Sequence, residues 1–276
     1  MIEQLSIFTI ERRKDFSEAF AKFFEDLQSP VVASTGDTFE MFKYLDRCIR
    51  YWPHRCGAIG IDDYLKGIGI DIRAPKEDKD LLLTLELLIN LLYWAPRQDH
   101  NDDKMNYLSV SLKKNDVETE SHRLIQNAKY LLEQCYNMTI REEDDDDFPK
   151  YYITKRNEHV DIAVNAVPEL RDVLLGYLDI RNADDIEYKK AALTSIYSHM
   201  EPHRKEYKAL SCSSISEEFF ISMNTFGIRH NTKSQIRMQG KKKKAVCDKI
   251  FMMAVYVLQT SEVIKYKDEL KSLREK

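Results

Sequence analysis

No apolar run in this chain reaches the roughly twenty residues needed to cross a bilayer core. The most apolar stretch, residues 81–94, is interrupted by Thr84, Glu86 and Asn90 and reads as a buried helix. The start, Met-Ile-Glu-Gln, lacks the basic, apolar and small-residue succession of a secretory leader. The five cysteines are Cys48, Cys56, Cys135, Cys212 and Cys247. Their odd number and scattered spacing argue against a disulfide framework or a thiolate metal site, and the expectation is reduced thiols in a cytoplasmic protein. The Walker lysine with its flanking glycine and hydroxyl is absent, and the glycines at 60, 67 and 69 do not form the strand-to-helix fingerprint of a nucleotide loop. Neither a cofactor nor a bound metal is expected. Net charge is −4, so no global field draws the chain to nucleic acid, and any such contact must come from a local patch.

What is present is a charged, helix-rich pattern. Hydrophobic residues make up 43% of the 276 positions and charged residues 32%, enough to bury a core without staples. Phe16, Ala19, Phe20, Phe23, Phe24 and Leu27 repeat at three and four, which predicts an amphipathic helix ended near Pro30. Thr35-Gly36-Asp37-Thr38 reads as a loop and cap before a second helix through Phe39, Phe42, Leu45 and Ile49. Residues 51–57 hold His54, Arg55 and Cys56 between Pro53 and Gly57 and read as a connector. Residues 76–95 predict a helix stopped by Pro96, residues 98–104 a solvated loop, and residues 107–112 a short strand or the start of a helix through 121–136.

One segment argues for strand. Met138-Thr139-Ile140-Arg141 and Tyr151-Tyr152-Ile153-Thr154-Lys155 flank a polar turn, which predicts a β-hairpin over 138–156. The six carboxylates at 142–147 repel one another and impose no ligand spacing, so they read as a charged hairpin tip rather than a cation loop. The expected class is mainly α, with a helical region over 1–137, the hairpin as boundary, and a helical bundle over 157–276. Helices are expected over 158–178 and 185–200, with Arg156-Asn157-Glu158-His159 serving as a cap.

The stretch with the densest chemistry is Asn224-Thr225-Phe226-Gly227-Ile228-Arg229-His230-Asn231. Phe219, Phe220, Met223 and Phe226 fall at helical spacing, so Gly227 stands where a helix stops. Val246, Ile250, Met253 and Val257 open a long closing helix beyond Lys241, Lys242, Lys243 and Lys244. An imidazole beside an obligate cation suits phosphodiester chemistry, since histidine exchanges a proton near neutrality while arginine holds charge that grows on phosphate oxygens. Arg229, His230, Asn231 and Asn224 are therefore the candidate catalytic residues; the alternative is a plain helix-end cap. Basic residues gather nearby in sequence: His203, Arg204 and Lys205, then Lys233, Arg237 and the lysine run, the candidate phosphate contacts.

Residues 184–260 resemble the C-terminal half of a HEPN domain, a helical-bundle fold common among prokaryotic toxins and abortive-infection proteins. The resemblance rests on a helix ending in Tyr197-Ser198-His199-Met200-Glu201-Pro202-His203-Arg204-Lys205, the Phe-rich helix ending at 224–231, and the long closing helix. It is similar in particular to prophage-type proteins with an Asn, an aromatic residue and then Ile-Arg-His-Asn at this point. The resemblance implies an antiphage effector acting on RNA, tRNA included, as a metal-independent ribonuclease. It also implies a homodimer with two motifs facing one cleft, and a phage trigger or partner defence protein. HEPN ribonucleases carry Arg, then four to six residues of which the first is polar, and then His. Here Arg229 and His230 match the opening, whereas positions 234–236 are Ser, Gln and Ile. Either His230 takes over the acid-base role, with a second imidazole from a partner copy or from His203, or the domain is a non-catalytic binding module.

Overall fold

The computed structural model describes residues 16–97, 112–143, 149–229, 236 and 240–274. It is mainly helical, and its contacts divide the chain into an N-terminal unit, Ile10–Ile153, and a C-terminal unit from Thr154 to Lys276.

In the N-terminal unit, α1 (Phe16–Gln28) buries Phe16, Phe20, Phe23 and Leu27 along one stripe, as the spacing predicts. The expected loop is there at residues 35–37, but it joins two short strands, and Phe39 lies in the second of them rather than in the following helix. β1 (Pro30–Val32) pairs antiparallel with β2 (Thr38–Glu40) in the register Val31 opposite Phe39, around Gly36 at φ 89°. Strands of three residues leave too short an alternation to see in sequence, and Pro30 sits where a strand tolerates it, at its first position. Next come α2 (Met41–Cys48), an unanticipated α3 (Ile61–Gly67), α4 (Asp78–Trp94) and α5 (Lys114–Tyr136). Asn137 adopts the left-handed conformation, φ 54°, that ends α5 and turns the chain into the expected hairpin of β3 (Met138–Glu143) and β4 (Lys150–Lys155). The 98–104 loop, the 107–112 alternatives apart from Leu112, and most of the acidic hairpin tip lie outside the described residues.

The polar interruptions of α4 have a structural reason. Asn90 Nδ2 donates to the Tyr151 carbonyl at 2.6 Å while Tyr151 N–H donates to Asn90 Oδ1 at 2.8 Å. One turn earlier, Glu86 Oε2 accepts from Ile153 N–H at 2.8 Å. The buried face of α4 thus docks the backbone of β4, and Tyr93 stacks on Tyr151 with centroids 3.8 Å apart.

In the C-terminal unit, Asn157 caps α6 (Glu158–Ala166) by accepting from the His159 and Val160 N–H groups, so the cap reading of this Arg/His stretch holds. The single helix expected over 158–178 is broken: a turn at Pro168–Leu170 separates α6 from α7 (Arg171–Leu178), because Pro168 supplies no N–H to continue α6. α8 (Ile186–Met200) stops before Pro202, α9 (Arg204–Ala209) is a separate turn and a half, and α10 (Ser213–Thr225) leads to the Gly227 turn. α11 (Gly240–Arg274) packs against α6, α8 and α10. The lysine run forms its first turn rather than a loop before it, consistent with the high helix propensity of lysine.

At the centre of this bundle sits a buried polar cluster. Lys189 Nζ lies 3.0 Å from Asp248 Oδ1, which also accepts from the Tyr177 hydroxyl at 3.2 Å. The ammonium lies 4.3 Å from the Tyr177 ring centroid, and that ring stacks on Phe251 at 3.9 Å. Burial pulls the Lys189 ammonium down to about 8, partly offset by Asp248. Close packing continues at Gly176, where a Cβ would overlap the Tyr188 hydroxyl. Gly176→Ala is expected to destabilise the unit by about 1–3 kcal/mol, and Gly176→Ala with Tyr188→Phe to recover part of it; helical circular dichroism in urea measures both.

Candidate functional site

The site is built at the end of α10. Its buried face, Phe219, Phe220 and Met223, fixes where the helix finishes, and Gly227 at φ 63° reverses the chain. Ile228, 4% exposed, anchors the turn, and Arg229 N–H donates to the Met223 carbonyl at 3.5 Å. On the far side of residues 230–235, Ile236 N–H returns to the Thr225 carbonyl at 3.0 Å. Both stems of the intervening segment are therefore tied to the last turn of α10.

Packing delivers Arg229 to the C-terminal end of α8. Its two terminal nitrogens lie 3.2 and 3.3 Å from the Glu201 carboxylate oxygens, and its guanidinium lies 4.2 Å from the Tyr197 ring centroid. Tyr197 and Glu201 are one helical turn apart, and the Tyr197 hydroxyl donates to Glu201 Oε1 at 2.9 Å. That hydrogen bond, followed by Arg229, holds the Glu201 carboxyl below the usual carboxylate range.

A second guanidinium lies on the adjoining ring. Arg204 sits 4.7 Å from the Phe220 centroid, and Phe220 meets Tyr197 edge-to-face at 5.3 Å. Arg204 Nε is buried and has no hydrogen-bond partner among the described residues. Two arginines thus lie on touching aromatic rings, a cation-π arrangement that holds both planes in place. His199 and His203 have ring centroids 6.2 Å apart; His203 Nδ1 lies 3.2 Å from Glu206, and His199 Nδ1 lies 3.8 Å from Glu169.

The structure brings Arg229 and Arg204 together, with His203 on the turn that leads into α9. Asn224 Nδ2 donates back to the Phe220 carbonyl at 3.1 Å. Lys205 is exposed. His230, Asn231, Lys233 and Arg237 lie outside the described residues. The lysine run does not close on Arg229: Lys244 pairs with Asp184, just before α8, whereas Arg229 meets Glu201 just after it. Those two ends are about 25 Å apart along the helix axis. Lys241 and Lys242 are exposed and Lys243 half-buried.

The spacing-based reading missed Tyr197, Glu201 and Phe220 as site residues. The one sequence signal was the turn-apart spacing of Tyr197 and Glu201 beside Pro202; their meeting with Arg229 spans 28 residues and is decided by packing. Among the described residues no helix is long and apolar enough to cross a membrane, and no group of three His, Cys, Asp or Glu residues is placed to hold a metal ion. Neither a family model, nor a curated protein, nor a solved structure matches this chain.

Proposed function

We propose that the C-terminal unit is a HEPN-like module acting on RNA in an antiphage, abortive-infection or toxin-type role, as a metal-independent endoribonuclease. The observation that carries this reading is the pair of guanidiniums, Arg229 and Arg204, laid on touching rings, with Arg229 immediately preceding His230 in the chain. In the proposed reaction the ribose 2′-hydroxyl attacks its own phosphorus, His230 takes the proton, and the 5′-oxygen leaves with a proton returned to it. Arg229 stabilises charge on the phosphoryl oxygens, and Asn231 or Asn224 orients the imidazole. A homodimer would supply a second imidazole, and His203 is the candidate within one chain.

A second reading has its own observation: Arg229 is already paired with Glu201, and Ser234, Gln235 and Ile236 stand where the family's second motif residue falls. On that reading the module binds RNA or a partner protein without cutting. Purified wild type and His230→Ala, shown to melt alike, are to be compared on total RNA and tRNA with EDTA present. Cleavage by wild type and its loss in the variant is the expected result. RNA bound but uncut by both, with a phage trigger supplied, replaces the enzyme reading with the binding module.

A further inference from the structure

Glu201 stands at an unfavourable place for a carboxylate. It follows the last turn of α8, where the unsatisfied carbonyls present the negative end of the helix dipole. It stays there through two interactions, the Tyr197 hydroxyl and the forked pair with Arg229. The arginine side chain is 28% exposed and the glutamate 46%, so both can be reached from solvent. Planar two-oxygen recognition by a guanidinium fork serves a phosphate as well as a carboxylate. Arg204, on the adjacent ring, adds a second positive charge near enough to help hold the Glu201 carboxyl down, although its own Nε is buried.

We propose that Glu201 is an internal competitor: its carboxylate occupies on Arg229 the position that a phosphodiester of single-stranded RNA takes when bound. This inference rests on the RNA-acting reading and adds its regulation. With Glu201 in place the two arginines and the carboxylate sum to one positive charge; with it swung out, two guanidiniums face the phosphate, and the Tyr197 hydroxyl is released to donate to a phosphate oxygen. Glu201 is the residue best able to move, being the exposed member just past the helix end, while Arg229 is held by the Ile228 anchor. The arrangement makes RNA entry an exchange of one anion for another.

The test is the affinity of the full chain for a labelled single-stranded oligoribonucleotide, by fluorescence anisotropy over a series of salt concentrations. The proteins are wild type, Glu201→Gln, Arg229→Ala, Arg204→Ala, and Glu201→Gln combined with Arg229→Ala. Glutamine keeps an oxygen for the Tyr197 hydroxyl while removing the charge. Glu201→Gln is expected to bind at least about fivefold tighter, the effect of one charge at contact distance even in a water-like dielectric. Each arginine variant is expected to bind more weakly and to flatten the dependence of log K on log salt by about 0.7, one phosphate contact on a single strand. A purely structural role would not move that slope. In the Arg229→Ala background Glu201→Gln should give no tightening. Weakened arginine variants with unchanged Glu201→Gln overturn the competitor and leave the RNA reading standing. Tightening that persists without Arg229 also overturns it, since the charge then acts generally. Absence of RNA binding by wild type and Glu201→Gln alike overturns both.

Discussion

Asp248→Ala is expected to destabilise the C-terminal unit by about 3–5 kcal/mol. Lys189 is wholly buried, and its ammonium is 3.0 Å from Asp248. Removing the carboxylate leaves a charge in the bundle interior, and takes from the Tyr177 hydroxyl its acceptor at the same oxygen. The converse substitution, Lys189→Ala, leaves a buried carboxylate and is expected to cost a similar amount. Replacing both with apolar residues of like volume, Lys189→Met with Asp248→Leu, should restore most of the loss, because the pair spends on desolvation much of what it gains in attraction. Two tryptophans make the assignment clean: Trp52 and Trp94 both belong to the N-terminal unit. Their fluorescence in urea reports the N-terminal unit, whereas helical circular dichroism, which includes the C-terminal helices, is expected to show an earlier transition in the Asp248 variant. A shift below about 1 kcal/mol would mean that water enters to solvate the ammonium, and that the cluster is not the dry centre of the bundle.

Asn90→Ala is expected to destabilise the N-terminal unit by about 2–5 kcal/mol. Its amide makes a reciprocal pair with the Tyr151 backbone, at 2.6 and 2.8 Å, and a further bond to the Glu86 carbonyl at 2.8 Å. Truncation orphans a buried N–H and C=O of β4, and no neighbouring side chain replaces an amide that gives and receives at once. Asn90→Leu should do no better, although it fills the space and raises the apolar content of α4; that outcome separates lost hydrogen bonding from a lost contact. Here the tryptophan signal should shift, since Trp94 lies one turn further along the same helix. If Asn90→Leu were as stable as wild type, the polar docking of β4 would be dispensable.

Much of this architecture was legible in the residues. The three-and-four spacing of Phe16, Phe20, Phe23 and Leu27, and of Phe219, Phe220 and Met223, encodes a buried helical stripe because each turn brings those positions to one side. The β-branched and aromatic residues on both sides of an acidic turn gave the 138–156 hairpin, and Gly227 marked the helix end because it takes a left-handed conformation at little steric cost. Arg229 and Arg204 were visible as candidates by residue type.

Partnership was not legible. Nothing local distinguishes Asn90 and Glu86, polar residues in an apolar run, from errors in a core; their meaning comes from a strand 61 and 67 positions away. Nothing local shows that Lys189 meets Asp248, 59 residues away, or that Arg229, a candidate by residue type, has Glu201, 28 positions away, as its partner. The sequence by itself determined which faces of the longer helices are apolar and some of their ends, such as the Gly227 stop after α10, because those depend on neighbours within a turn or two. Tertiary structure decided which charges meet, which are buried, and that the lysine run and Arg229 fall at opposite ends of α8, because a charge takes its partner and its dielectric from whatever packing brings against it.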